Sequence, residues 1–173
     1  MPGNGFTNNH GLSLLELLIT LAVMIILITS AAPSYLNWYH QTRLKYIARE
    51  VTLLLLRAQH LAVTRHETTY VQFNHDNNAR IDIVTEHCLQ KGICPTPATQ
   101  DYLLVSPPVT LTSATFSAEG QYTRFSASTG LADGGAGSII LKAGPYQLKV
   151  IINRLGRVRT CAIGKTAGEI SQC

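Results

Sequence analysis

The sequence predicts an α+β protein in which one long N-terminal helix packs on an antiparallel β-sheet head. Three observations carry this: an uncharged apolar run near the N-terminus, a helical stripe that continues beyond it, and a change after Glu67 to short β-branched and aromatic segments broken by Gly, Pro, Asn and Asp. The 173 residues suffice for about one core, at roughly 100–150 residues per domain.

The apolar run extends from Leu12 to Ala32 and is interrupted only by Glu16; residues 17 to 32 carry no charge. These 21 residues span about 30 Å as a helix, the thickness of a bilayer's hydrocarbon core. After Pro33 the pattern becomes amphipathic. Leu44, Ile47, Val51, Leu54, Ala58 and Leu61 recur at steps of three and four, while Arg43, Arg49, Glu50, Arg57 and Gln59 lie mainly off that stripe. A continuous helix from Ser13 to Arg65 is about 80 Å long, more than a compact head can cover, so its first half is expected to project.

Residues 1 to 11, MPGNGFTNNHG, are polar and glycine-rich, and the apolar stretch follows them. An ordinary secretory signal has the reverse order, with its cleavage site after the apolar stretch. The run G-L-S-L-L-E-L-L, Gly11 to Leu18, resembles the class III prepilin signal of type IV pilins and type II secretion pseudopilins. The resemblance implies cleavage after Gly11 by a prepilin peptidase in the inner membrane and methylation of the new N-terminus, Leu12. Glu16 then falls fifth in the mature chain, where the family glutamate pairs with the N-terminal amine of an adjacent pilin. Such a partner matters, because a carboxylate in hydrocarbon costs a few kcal/mol. Pro33, twenty-second after the cut, matches a helix-kinking proline of many pilins. The leader departs from the family in lacking Lys and Arg, with His10 in the usual basic position and Leu12 where phenylalanine is common. The resulting division is a leader over 1–11, a transmembrane and assembly segment over 12–38, and a soluble head over 39–173.

Cys88, Cys94, Cys161 and Cys173 all follow the membrane segment. None forms C-x-x-C and the six histidines are scattered, so neither a zinc site nor any other metal or cofactor is expected. Four cysteines allow three disulfide pairings. Cys88 with Cys94 and Cys161 with Cys173 is favoured because both loops are short to close, though the pairing stays open. Disulfides place the head in an oxidising compartment such as the bacterial periplasm.

Expected strands are Thr68–Phe73, Ala79–Thr85, Tyr102–Val105, Tyr122–Phe125, Ser138–Lys142, Gln147–Asn153 and Arg157–Cys161. They form one sheet or two packed sheets that bury the helical stripe. Asn74 to Asn78 reads as a hairpin loop and the glycine-rich Thr129–Gly137 as a longer mobile loop. Residues 88 to 118 assign no strand order. Phe125 followed by Gly130, with the terminal hairpin V-I-I-N-R-L-G-R-V-R over Val150–Arg159, resembles the FimT/GspH group of minor pilins and pseudopilins.

Charge concentrates at the C-terminal end. Residues 1–133 hold eight basic and nine acidic side chains, whereas residues 134–173 hold six basic and one acidic. No carboxylate lies between Asp133 and Glu169 to neutralise Lys142, Lys149, Arg154, Arg157, Arg159 and Lys165. Gly156 suits the reversal of a hairpin. Arg157 and Arg159 flank Val158, so in a strand both guanidiniums share one face, and Arg154 stands in the turn. Three arginines at a loop tip suit successive backbone phosphates. FimT-like minor pilins of naturally competent bacteria carry a Gly-Arg-x-Arg signature associated with DNA uptake, and Gly156, Arg157, Val158 and Arg159 reproduce it. The resemblance thus implies a minor pilin that binds double-stranded DNA, with Lys149 and Lys165 as auxiliaries. It is expected in the inner membrane of a Gram-negative bacterium with a periplasmic head, then outside the cell in a pilus with other major and minor pilins. A structural pseudopilin of type II secretion, or a pilus-priming subunit without DNA binding, shares every feature except a use for the arginines. The chain has no G-x-S-x-G, no H-E-x-x-H and no phosphate-binding glycine loop, so an enzyme is not expected.

Overall fold

The computed structural model describes residues 13–74, 79–86, 101–116, 121–165 and 169–173. A single helix, α1, runs from Leu14 to Arg65. It continues through Pro33, which lacks the amide that would bond the carbonyl of Thr29 one turn earlier. From Leu14 to Ile28 its large apolar side chains are at least half exposed, and its N-terminal part is apolar enough, and long enough, to cross a membrane. The chain divides into two compact units between Asn37 and Trp38.

In the second unit one face of α1 is buried: Leu44, Ile47, Ala48, Val51, Leu54, Leu55, Ala58 and Ala62. The expected stripe is present with one shift. Leu61 is only partly buried and Ala62 takes the inner position, because a small side chain lets sheet and helix approach where a leucine would hold them apart.

Eight strands follow: β1 Thr69–Asn74, β2 Arg80–Thr85, β3 Tyr102–Leu104, β4 Thr110–Phe116, β5 Tyr122–Phe125, β6 Gly137–Ala143, β7 Tyr146–Ile152 and β8 Val158–Ile163. They form two antiparallel four-stranded sheets, in the orders β3-β2-β1-β5 and β4-β6-β7-β8. Period-two alternation marks the inner face most plainly in β7. In β7, Tyr146, Leu148, Val150 and Ile152 are buried while Gln147, Lys149 and Ile151 are half-buried on the other side. The two inner faces and the α1 stripe share one core, with Phe73, Phe125, Leu44, Leu55, Ile139, Leu141 and Leu148 fully buried in it.

Two expectations change. Strand β4 is additional to the expected strands; only Leu111 of its seven residues is buried, so its threonines and serine hide the alternation. The segment after β5 is docked instead of mobile. Its backbone bonds itself through Ser126 N to Leu131 O and Gly130 N to Ser126 O, both 2.9 Å, and Ala132 is fully buried. Thr123 Oγ1 donates to Gly135 O at 2.6 Å, and the Arg124 guanidinium donates to the carbonyl of Asp133. Residues 75–78 of the expected hairpin loop lie outside the described residues.

Candidate nucleic-acid interface

The hairpin between β7 and β8 is built from Asn153. Its carbonyl accepts from Gly156 N at 2.9 Å, its amide donates to Arg157 O at 3.2 Å, and its Oδ1 accepts from Arg157 N at 2.9 Å. This closes a turn with Arg154 and Leu155 at its tip and Gly156 at φ +75°, a conformation glycine enters without steric penalty. Gly156 is also buried. A Cβ there would lie 2.4 Å from Gln59 Nε2 and 3.0 Å from Gly130 O, so the turn sits directly on α1 and on the loop after β5. Gln59 Nε2 donates to Gly130 O at 2.9 Å, and Gly130 itself has φ +66°. The two motif glycines therefore meet at one glutamine of the helix. The hairpin tip is fixed to the core of the head at its base.

The arginines project from this base. Arg154, Arg157 and Arg159 are all exposed. The ion pairs among the described residues join Arg57 to Asp101, at 2.8 Å, and Arg80 to Asp82; neither involves the hairpin. Arg157 and Arg159 line one open depression of about 370 Å³ with Ile151 and Asn153, which places both on the outer face of the second sheet. Register extends that face. Ile151 opposes Arg159, Lys149 opposes Cys161, Ile140 opposes Lys149, and Lys142 opposes Gln147. Since alternate residues share a face, Lys149 joins Arg159 there, and so does Lys142, to which the sequence alone assigns no place. Lys165 does not join them: its Nζ lies 5.4 Å from the centroid of the Tyr146 ring, and Tyr146 belongs to the opposite, inner face of β7.

Beside this face the C-terminus is stapled to the edge strand. Cys161 and Cys173 form a disulfide, Ala162 N donates to Ser171 O at 2.9 Å and Cys173 N to Ala162 O at 3.1 Å. Cys88 and Cys94, like Gly11 and Leu12, lie outside the described residues. Glu16 is exposed in the first turn of α1.

The first sheet carries a different surface on its outer side. Tyr70 and Tyr122 meet edge-on, with centroids 5.8 Å apart. Burial lifts the Tyr70 phenol above its ordinary value and Glu86 adds to this, while the Arg124 guanidinium, which also hydrogen-bonds it, opposes the rise.

Residues 5–32 match the prokaryotic N-terminal methylation motif. The minor pseudopilin EpsH from the type 2 secretion system of Vibrio cholerae is similar in structure, with a TM-score of 0.53 and 14% identity over 71% of this chain and 99% of that one. The type IV minor pilin FimU of Pseudomonas aeruginosa PAO1 gives a TM-score of 0.54 and 15% identity over 76% and 94%. No curated protein sequence matches the chain. The likeness to both structures establishes a pilin-like fold, and the apolar helix with its methylation motif fits anchoring in the inner membrane. The chain thus joins a match to the N-terminal methylation motif, over residues 5–32, to a head with the pilin-like fold that EpsH and FimU share.

Proposed function

We propose that the mature protein is a minor pilin of a type IV pilus, of the FimT/GspH kind, that binds extracellular double-stranded DNA through the β7–β8 hairpin and supports its uptake in natural transformation. The observation that carries this reading is the cluster of Arg154, Arg157 and Arg159, exposed on a rigid turn and free of ion pairs among the described residues. Lys149 and Lys142 extend the same charge along the outer face of the second sheet, in a stretch without carboxylates. Guanidiniums two strand residues apart stand roughly 7 Å from each other along the backbone, a spacing suited to neighbouring phosphates.

Phosphate contacts hold a protein on DNA without reading its sequence, so binding is non-specific, with Kd on the order of 10⁻⁴ to 10⁻⁶ M at physiological salt. In this reading the prepilin peptidase cuts after Gly11 and Leu12 becomes the methylated first residue. Residues 12–38 hold the subunit in the inner membrane and later in the filament, Glu16 meets the N-terminal amine of a neighbouring pilin, and the head from residue 39 faces the periplasm and then the exterior.

Gel-shift titration of the head, residues 39–173, against duplex DNA at several salt concentrations tests the proposal. Three phosphate contacts give a slope of log K against log salt of about −3, and Arg157→Gln with Arg159→Gln reduces its magnitude by about 2. Unchanged binding by that double variant would move the site elsewhere. A head that never binds DNA in a salt-sensitive way is a structural pseudopilin, a reading that the likeness to EpsH also supports.

A further inference from the structure

Leu155 is 70% exposed, more than any other large apolar side chain described in residues 38–173. It stands at the tip of the turn between Arg154 and Arg157, both exposed. The turn that holds it is closed by three hydrogen bonds from Asn153 and seated through Gly156 on Gln59. A leucine held in water by a rigid turn contributes nothing to the core of the head, and hydration disfavours it there. The exposed arginines on either side of it, Arg154 and Arg157, mark a polyanionic partner that also offers apolar surface. Duplex DNA is such a partner: phosphates line its grooves, base edges lie within them, and the apolar faces of a base step open when it is partly unstacked.

Resting on the duplex-binding reading above, we propose that Leu155 is the base-contacting residue of this hairpin, entering a groove between phosphates held by Arg154 and Arg157 and wedging against a base step. Apolar side chains used this way by DNA-bending proteins partly unstack the step and kink the duplex. Pyrimidine–purine steps deform most readily, so the hairpin prefers TA and CA/TG steps while remaining indifferent to the wider sequence. The rigid turn favours insertion because little conformational freedom is lost when the tip is buried.

The two roles separate by their salt dependence. Arginine contacts release counterions and set the salt slope, whereas an apolar contact adds affinity that salt leaves nearly unchanged. The full chain in detergent is titrated onto short duplexes carrying 2-aminopurine beside a central TA step, following anisotropy and 2-aminopurine emission at several salt concentrations. The wild type is expected to raise the emission as the step unstacks. Leu155→Ala binds about five- to tenfold more weakly, keeps the salt slope and abolishes the rise in emission, while Leu155→Phe retains it. Because Leu155 makes no part of the core, the thermal melt of Leu155→Ala matches wild type and serves as the folding control. Wild-type affinity and emission in Leu155→Ala overturn the proposal and assign the leucine to contact with another subunit. Failure of the wild type to bind any duplex instead overturns the DNA reading itself.

Discussion

Gly156 has two requirements placed on it at once, a left-handed backbone at φ +75° and a surface with no side chain facing Gln59. Gly156→Ala introduces a Cβ 2.4 Å from Gln59 Nε2 together with the left-handed penalty, and is expected to destabilise the head by about 1–3 kcal/mol. Urea unfolding of residues 39–173 measures this, and a loss under about 0.5 kcal/mol would mean that the turn lifts off α1 freely. The glycine's role in a turn is legible from G-R-V-R alone. Its seat on the helix is not, because nothing in the local pattern links it to Gln59 or Gly130. Leu155 falls between two expected strands, in the same turn as Arg154, but its exposure at the tip follows from how that turn closes on Asn153.

Among the elements, β7 is the most legible, since four inner apolar residues alternate with Gln147, Lys149 and Ile151. β4 is the least, because a strand exposed along most of one face and rich in threonine and serine has little alternation to read. β8 lies at the edge of its sheet, where unpaired backbone groups invite another chain. The C-terminal residues cover part of that edge through the bridge of Ala162 with Gln172 and the disulfide of Cys161 with Cys173. The disulfide closes a sequence separation of 12 residues, and a loop of that size contributes about 3 kcal/mol by restricting the unfolded chain. Cys173→Ser is therefore expected to lower stability by about 2–4 kcal/mol and to speed hydrogen exchange at Ala162. Equal stability with and without the bridge would assign the covering of the edge to hydrogen bonds alone.

At the scale of the whole molecule, the chain combines a methylation motif over residues 5–32, a helix apolar enough to cross a membrane and a head with its own core. Amphipathic and apolar periodicities differ plainly on either side of Pro33, so both parts of α1 are legible in the amino-acid order. Processing is the corresponding prediction: mass spectrometry of the protein recovered from assembled pili finds N-methylated Leu12 as the first residue. An intact Met1 on assembled subunits would refute cleavage after Gly11. Glu16, exposed in the first turn of α1, belongs to this scale as well, because the role proposed for it, meeting the N-terminal amine of a neighbouring pilin, requires a second subunit.

The amino-acid order by itself determined the anchor, the helix register and most strands of this protein, because periods of 3.6 and 2 in apolar residues are local properties of the chain. It also determined that the C-terminal quarter is basic. Only the tertiary structure decided that the strands form two sheets, that Lys142 and Lys149 share a face with Arg159 while Lys165 lies against Tyr146, and that Leu155 stands in water. Those outcomes depend on strand pairing and on the contact of Gly130 and Gly156 with Gln59, and such contacts join residues far apart in the chain.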